Sequence, residues 1–308
     1  MKPYSIYQYL PGTEMTGRDI KEQNSKFWNE GKWNNFVAPF IKEREGILVD
    51  MGCNAGLFLK MAEDMGFRAI GVDSSREAVE RGQAWRKENK YIYQFFERDL
   101  NNCIDELPIA DYTVLANAHY YLTINDWLDY VDKLQYKTRY VIIVTDEKRH
   151  MSKCWASADV EDIRTVFKNW DEVGHIGVLS QDDPSPRKLQ GLCFKSRFIE
   201  KESVESIVAG DPGREDFYRE MLGNFDSPGS VDYHETMYYK FLKNYRRKWD
   251  VEKLDKWVED RIDNFYSIYG NGLRKPVILD RNNNILDGNH RFAVAKALGY
   301  KYVFIRRA

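Results

Sequence analysis

The segment Ile47-Leu48-Val49-Asp50-Met51-Gly52-Cys53-Asn54-Ala55-Gly56 constrains the fold of this chain more than any other. A short apolar run bounded by turn residues reads as a buried strand. Small residues then make a tight turn, and Leu57 to Met65 continues as a helix stopped by Gly66. A second apolar run, Ala69 to Val72, closes on Asp73. The order is strand, helix, strand, which requires a parallel pair joined by a crossover. Glycine in the first turn lets backbone approach a ligand closely, and an acid about 20 residues on can accept hydrogen bonds from ribose hydroxyls.

The spacing separates two ligand classes. A dinucleotide site reads G-x-G-x-x-G, with pyrophosphate on the helix N-terminus. Here the pattern is Asp50-x-Gly52-x-Asn54-x-Gly56, with an acid ahead of the first glycine. An acid suits a ligand that carries cationic groups better than one that is only an anion. The pattern resembles motif I of class I S-adenosylmethionine (SAM) methyltransferases. Asn54 stands where that family more often has glycine, and asparagine tolerates the left-handed conformation better than most residues.

The resemblance implies a Rossmann-like α/β domain over residues 1–197, with SAM held by Asp50, Gly52, Asn54, Gly56, Asp73, Asp99 and Asn117. Asp99 matches the family's acid beside the adenine amino group, after a strand expected over Tyr91–Phe96. His119 follows the end of the strand Tyr112–Ala116, where ligands bind in open α/β sheets, and is the candidate general base. An aromatic stretch from Phe27 to Phe40 reads either as cover for the pocket or as packing against the sheet. No Asn/Asp-Pro-Pro-aromatic tetrapeptide and no Pro-Cys pair is present, so base methylation of DNA is disfavoured.

A distinct unit is expected beyond residue 197: a polar linker at 198–230, then a smaller α+β domain at 231–308. Its end carries a strand Pro276–Asp280, a turn, a strand Ile285–Leu286, and Asp287-Gly288-Asn289-His290-Arg291 opening a helix. This resembles the ParB/sulfiredoxin fold, and its D-G-x-H-R form resembles the ParB-fold amino-acid kinases most. The resemblance implies a nucleotide, ATP or another with Mg, held by Asp287, Gly288, Asn289, His290 and Arg291. Glu235 corresponds to the kinases' base. Asp287 is either a metal ligand or a cap, and the cap is preferred.

Composition narrows the partners. The chain of 308 residues has a formal charge of −2, so no global field draws it to nucleic acid or anionic lipid. From residue 198 onward, 19 Lys and Arg face 18 Asp and Glu, no basic DNA-binding face. The four cysteines form no C-x-x-C pair, so no metal site is expected and the pattern suits a reducing cytoplasm. No apolar run approaches the ~18 residues of a membrane span. The expected protein is a cytoplasmic SAM-dependent methyltransferase. It would act on an oxygen of a small molecule or saccharide, including a phosphorylated one, with a nucleotide-binding, kinase-like second domain. The alternative is a DNA-associated or interaction module with the methyltransferase fold as scaffold. A homodimer is left open.

Overall fold

The computed structural model describes residues 10–11, 30–122, 124–146, 160–177, 189–208, 213–223, 233–245 and 250–308. Residues Phe27 and Trp28 of the aromatic stretch lie outside them. The chain divides into two compact units, Met1–Arg197 and Phe198–Ala308.

The first unit contains strands β1 (Gly46–Met51), β2 (Phe67–Asp73), β3 (Gln94–Glu97), β4 (Ala110–Ala116), β5 (Thr138–Asp146), β6 (Asp171–Ile176) and β7 (Leu189–Lys195). They form one seven-stranded sheet in the order β3-β2-β1-β4-β5-β7-β6. The pairs from β3 to β5 are parallel, and β7 runs antiparallel to both β5 and β6. Helices α1 (Leu57–Asp64), α2 (Arg76–Glu88), α3 (Ile124–Leu134) and α4 (Val160–Val166) connect them. Strand order reverses between β1 and β4, the switch point at which α/β sheets bind ligands.

The alternation of side chains along a strand builds two cores. Val49, Ile70, Leu115, Val141 and Ile143 enter one face. Leu48, Ala69, Val114, Ile142 and Val144 enter the other. Both faces are therefore dry, as the continuous apolar strands require. The aromatic stretch continues as a π-helical turn, Trp33–Val37, and a 3-10 turn, Ala38–Phe40. Trp33, Phe36 and Val37 join the second core, so these rings pack against the sheet.

Two boundaries differ from the sequence expectation. Strand β3 starts at Gln94 rather than Tyr91, because the Glu63 carboxylate takes the backbone N–H groups of Ile92 and Tyr93. Those donors are thereby lost to the ladder. The described parts of the segment expected as a linker, 198–208 and 213–223, are structured. They supply β8 (Glu200–Ser203), which pairs antiparallel with the last strand of the chain, and α5 (Gly213–Gly223). Phe217 and Tyr218 of α5 are buried in the second unit's core.

The second unit continues with α6 (Met237–Tyr245), α7 (Val251–Asn271), β9 (Val277–Leu279), β10 (Ile285–Asp287), α8 (Asn289–Ala297) and β11 (Tyr302–Arg307). Its four strands are ordered β10-β9-β11-β8, with only the β9–β11 pair parallel. Helix α7 starts on Asp250, whose carboxylate accepts the Lys253 N–H at 2.7 Å, a stabilising cap. It buries Leu254, Val258, Phe265 and Ile268, while Val251 in its first turn is exposed. No helix among the described residues is long and apolar enough to cross a membrane.

Candidate active site

The turn from β1 into α1 is held against β2. The N–H groups of Gly52 and Cys53 donate to the Val72 carbonyl at 2.7 and 3.0 Å. Gly52 takes φ +81°, and a Cβ there would lie 2.7 Å from that of Ala118. Only glycine lets this turn sit so close to the end of β4. Asn54 also takes the left-handed region, at φ 48°, and Gly56 is the N-cap of α1.

Asp73 secures the turn from the neighbouring strand. Its two carboxylate oxygens accept the N–H groups of Asn54 and Ser75, each at 2.8 Å. Burial raises the Asp73 carboxyl above its ordinary value, against the lowering effect of those donors.

Asp50, at the end of β1, is 2% exposed. Its Oδ2 is buried without a hydrogen-bond partner. Burial, then the Asp73 charge, raise its carboxyl to about 8, while Lys32 pulls it down. Such a group costs free energy unless something cationic meets it. Lys32 is a member of the site that sequence reasoning missed. With the Asn117 amide turned to satisfy its neighbours, its nitrogen donates to the Val144 carbonyl at 2.9 Å and its oxygen accepts from Lys32 at 3.1 Å. The structure therefore brings Asp50, Gly52, Asn54, Asp73 and Asn117 together around the switch point, with Lys32 beside them. Asp99, exposed just past β3, turns its carboxylate back onto the Asn101 N–H at 2.9 Å.

A family model described as a methyltransferase domain matches residues 22–182, just over half of the chain. The chain belongs to the methyltransferase-domain family. Among solved structures, the PH0226 protein from Pyrococcus horikoshii OT3 is similar at 13% identity, covering 58% of this chain and 94% of that one, with a TM-score of 0.49. Magnesium protoporphyrin IX methyltransferase from Synechocystis PCC 6803 with bound SAM is similar at 15% identity, covering 62% and 87%, with a TM-score of 0.46. N-methyltransferase NodS from Bradyrhizobium japonicum WM9 with S-adenosyl-L-homocysteine is similar at 13% identity, covering 60% and 94%, with a TM-score of 0.46. No match is found among curated proteins.

Within the methyltransferase unit, His119 is not placed as the sequence suggested. It has no exposed surface. Its ring lies 4.1 Å from that of Tyr120 and 5.9 Å from that of Trp127. Its Nε2 is 3.4 Å from the Thr145 hydroxyl, which is 3.0 Å from that of Tyr120. A general base must come within about 3 Å of the proton it takes, and this imidazole has no solvent-accessible surface, with its Nδ1 buried without a hydrogen-bond partner. The Nε2–Thr145 contact links the end of β4 to the end of β5. Burial alone lowers the His119 pKa to about 3. An unfolded chain protonates such a histidine below its ordinary value of 6.5, so stability falls as pH drops from there toward 3. His119→Phe is expected to flatten that slope by up to ~1.4 kcal/mol per pH unit. Urea titrations at pH 6.5, 5.5 and 4.5 check it, and an unchanged slope would contradict a neutral, buried imidazole.

In the second unit, Gly288 is the N-cap of α8 at φ 95°. A Cβ there would meet the Arg291 guanidinium at 2.9 Å and Val277 Cα at 3.2 Å. Arg291 is directed to the Pro276 carbonyl at 3.0 Å and the Asp287 carboxylate at 2.9 Å. Asp287 is thus neither the cap of α8, which has no side-chain cap, nor part of a metal cluster among the described residues. Its hydrogen bond from Arg291 holds its carboxyl below the usual range. Asn289 opens the helix. His290 Nδ1 lies 3.1 Å from the Tyr218 hydroxyl. Burial, then the charges of Arg214 and Arg261, lower the His290 pKa to about 3. Glu235 ends the 3-10 turn Tyr233–Glu235 before α6, and its side chain lies outside the described residues.

Proposed function

We propose that the first unit binds SAM at the β1–β4 switch point and transfers its methyl group to an oxygen of a small molecule or saccharide. The observation that carries this is the buried, unpartnered Asp50 oxygen beside the bare Gly52–Gly56 turn. SAM supplies an electrophilic methyl on a sulfonium and ends in an ammonium and a carboxylate. Asp50 would meet the positive end. Lys32 offers a cation for the carboxylate. Asp73, already fixed by two backbone donors, would receive the ribose hydroxyls. Asp99 lies at the adenine end.

Methyl transfer is an in-line displacement governed by positioning. With His119 buried, the reading favours an acceptor oxygen already ionised in water, a carboxylate or a phosphate, which needs no base. Two of the similar solved structures bear methyltransferase names with SAM or its product bound. Calorimetry with SAM tests the binding step. Mass spectrometry of SAM reactions with sugars, phosphosugars and carboxylic acids tests the acceptor. A folded protein that binds no SAM would overturn the reading.

For the second unit the reading is a ParB/sulfiredoxin-like domain that takes a nucleotide at the α8 N-terminus, cytoplasmic and separate from nucleic acid. The uncapped first turn of α8, Gly288 to His290, supports it, because helix N-terminal N–H groups favour phosphate. Arg291 then serves as a strut that fixes the turn through Pro276 and Asp287. Phosphoryl transfer with Mg, Glu235 acting as base, is the further step this reading allows.

A further inference from the structure

Asn117, read from the sequence as a cofactor contact, has both ends of its amide engaged within the protein. It sits on the turn after β4 at φ 59°, a left-handed conformation that asparagine adopts more readily than most residues. Its backbone N–H donates to the Val144 carbonyl of β5 at 2.9 Å. Its side-chain nitrogen donates to the same carbonyl at 2.9 Å, and its side-chain oxygen accepts from the Lys32 ammonium at 3.1 Å. The amide is thus locked to one point of β5, with its oxygen aimed at Lys32. The residue after Lys32 gives a second anchor. Trp33 is buried against Phe58 of α1, with ring centroids 5.3 Å apart. Lys32 is held from both sides at a place where its charge acts on Asp50. The Asp50 Oδ2 nevertheless has no hydrogen-bond partner. A cation and a carboxylate therefore stand together at the switch point, the charge pattern complementary to an α-amino acid.

We propose that Asn117 is a positioning residue for Lys32, and that the pair makes the site selective for SAM that keeps its amino-acid carboxylate over the decarboxylated form. The proposal rests on the reading of this unit as a SAM site and assigns the source of its selectivity. Asp50 faces an ammonium that both forms carry, so it cannot tell them apart. The decarboxylated form has one more net positive charge and meets Lys32 only as a like charge. Asn117 adds no charge of its own. A lysine side chain loses rotamer freedom when it is fixed, and fixing it beforehand removes that cost from binding.

Calorimetry on the full chain with SAM and with decarboxylated SAM tests this, beside a thermal melt of each variant. The wild type is expected to prefer SAM by about 10- to 100-fold, the usual worth of a hydrogen bond to a charged group. Lys32→Ala should bring the two affinities together. Asn117→Gly keeps the left-handed turn and removes only the amide. It should lose most of the same preference, and the double variant should lose no more than Lys32→Ala alone, as residues acting through one contact do. Asn117→Asp should move the two ligands in opposite directions, weakening SAM and strengthening the decarboxylated form, because a carboxylate beside Lys32 cancels its charge. An Asn117 that only supported the fold would lower both affinities together. Lys60→Gln, on α1 where Lys60 pairs with Asp64, should leave the preference as it is. If Asn117→Gly does not fold, the Asn117→Asp result decides. Equal affinities in the wild type, or an unchanged preference in a folded Asn117→Gly protein, would overturn this inference and leave the SAM site standing. A folded wild type that binds neither ligand would overturn the SAM reading as well.

Discussion

Gly52→Val is expected to abolish SAM binding and to lower the melting temperature of the protein. A β-branched residue at φ +81° is strained by about 1–3 kcal/mol. Its first side-chain carbon would also sit 2.7 Å from the Ala118 methyl. The turn can relieve this only by moving away from β4, which pulls the Gly52 and Cys53 N–H groups off the Val72 carbonyl. Each of those changes displaces the backbone a ligand would lie against. Calorimetry with SAM and a thermal melt read the two effects separately. Cys193→Ala, buried in β7 on the far side of β5 from β4, is expected to alter stability without altering affinity. A Gly52→Val protein that binds SAM like the wild type would place the ligand elsewhere.

The second large effect is on protons. With its carboxyl raised to about 8, Asp50 is protonated at pH 7 in the free protein. A bound cation stabilises the carboxylate, so SAM binding is expected to release close to one proton near pH 7 and none well above pH 9. Calorimetry in buffers of different ionisation enthalpy counts it. Asp50→Asn should remove the release and weaken binding at least tenfold. The same change should stabilise the ligand-free protein. A carboxyl whose folded pKa is raised contributes stability that is intact below the unfolded value of 3.8 and is lost as pH rises to about 8. The advantage of the Asn variant therefore grows with pH by up to ~1.4 kcal/mol per unit and then levels off. A variant that loses stability at pH 7.5 and still releases a proton on binding would show that Asp50 is not the group involved.

The β-α-β core was legible because strands buried on both faces are apolar without interruption and their turn needs residues that tolerate positive φ. The Gly52 and Asn54 conformations follow from those residue types. Other features depend on contacts far apart in the chain. Strand β8 is Glu200-Lys201-Glu202-Ser203 at a sheet edge, and an edge with little burial carries no hydrophobic alternation to read. Glu63 shortens β3 from about thirty residues away, and no local propensity records that. Lys32 lies 18 residues ahead of Asp50, outside the motif, so nothing in the motif announces it. The position of His119 at the end of β4 was plain from its spacing, whereas its burial against Trp127 and Tyr120 was not. For Arg291, the spacing to Gly288 was plain, whereas the Pro276 carbonyl that claims its guanidinium was not.

The order of strands also bears on how the protein is made. Strand β6 touches the sheet through β7 alone, although β7 comes later in the chain. During synthesis β6 must therefore wait, unpaired, until residue 195 has emerged. In that interval the apolar margin of β5, Val141 to Val144, has no neighbour on one side, and bare strand edges recruit other chains. A protein cut after residue 182, where the family match ends, would be fixed in that state. Such a fragment is expected to aggregate, whereas one extended through Lys195 closes its own edge.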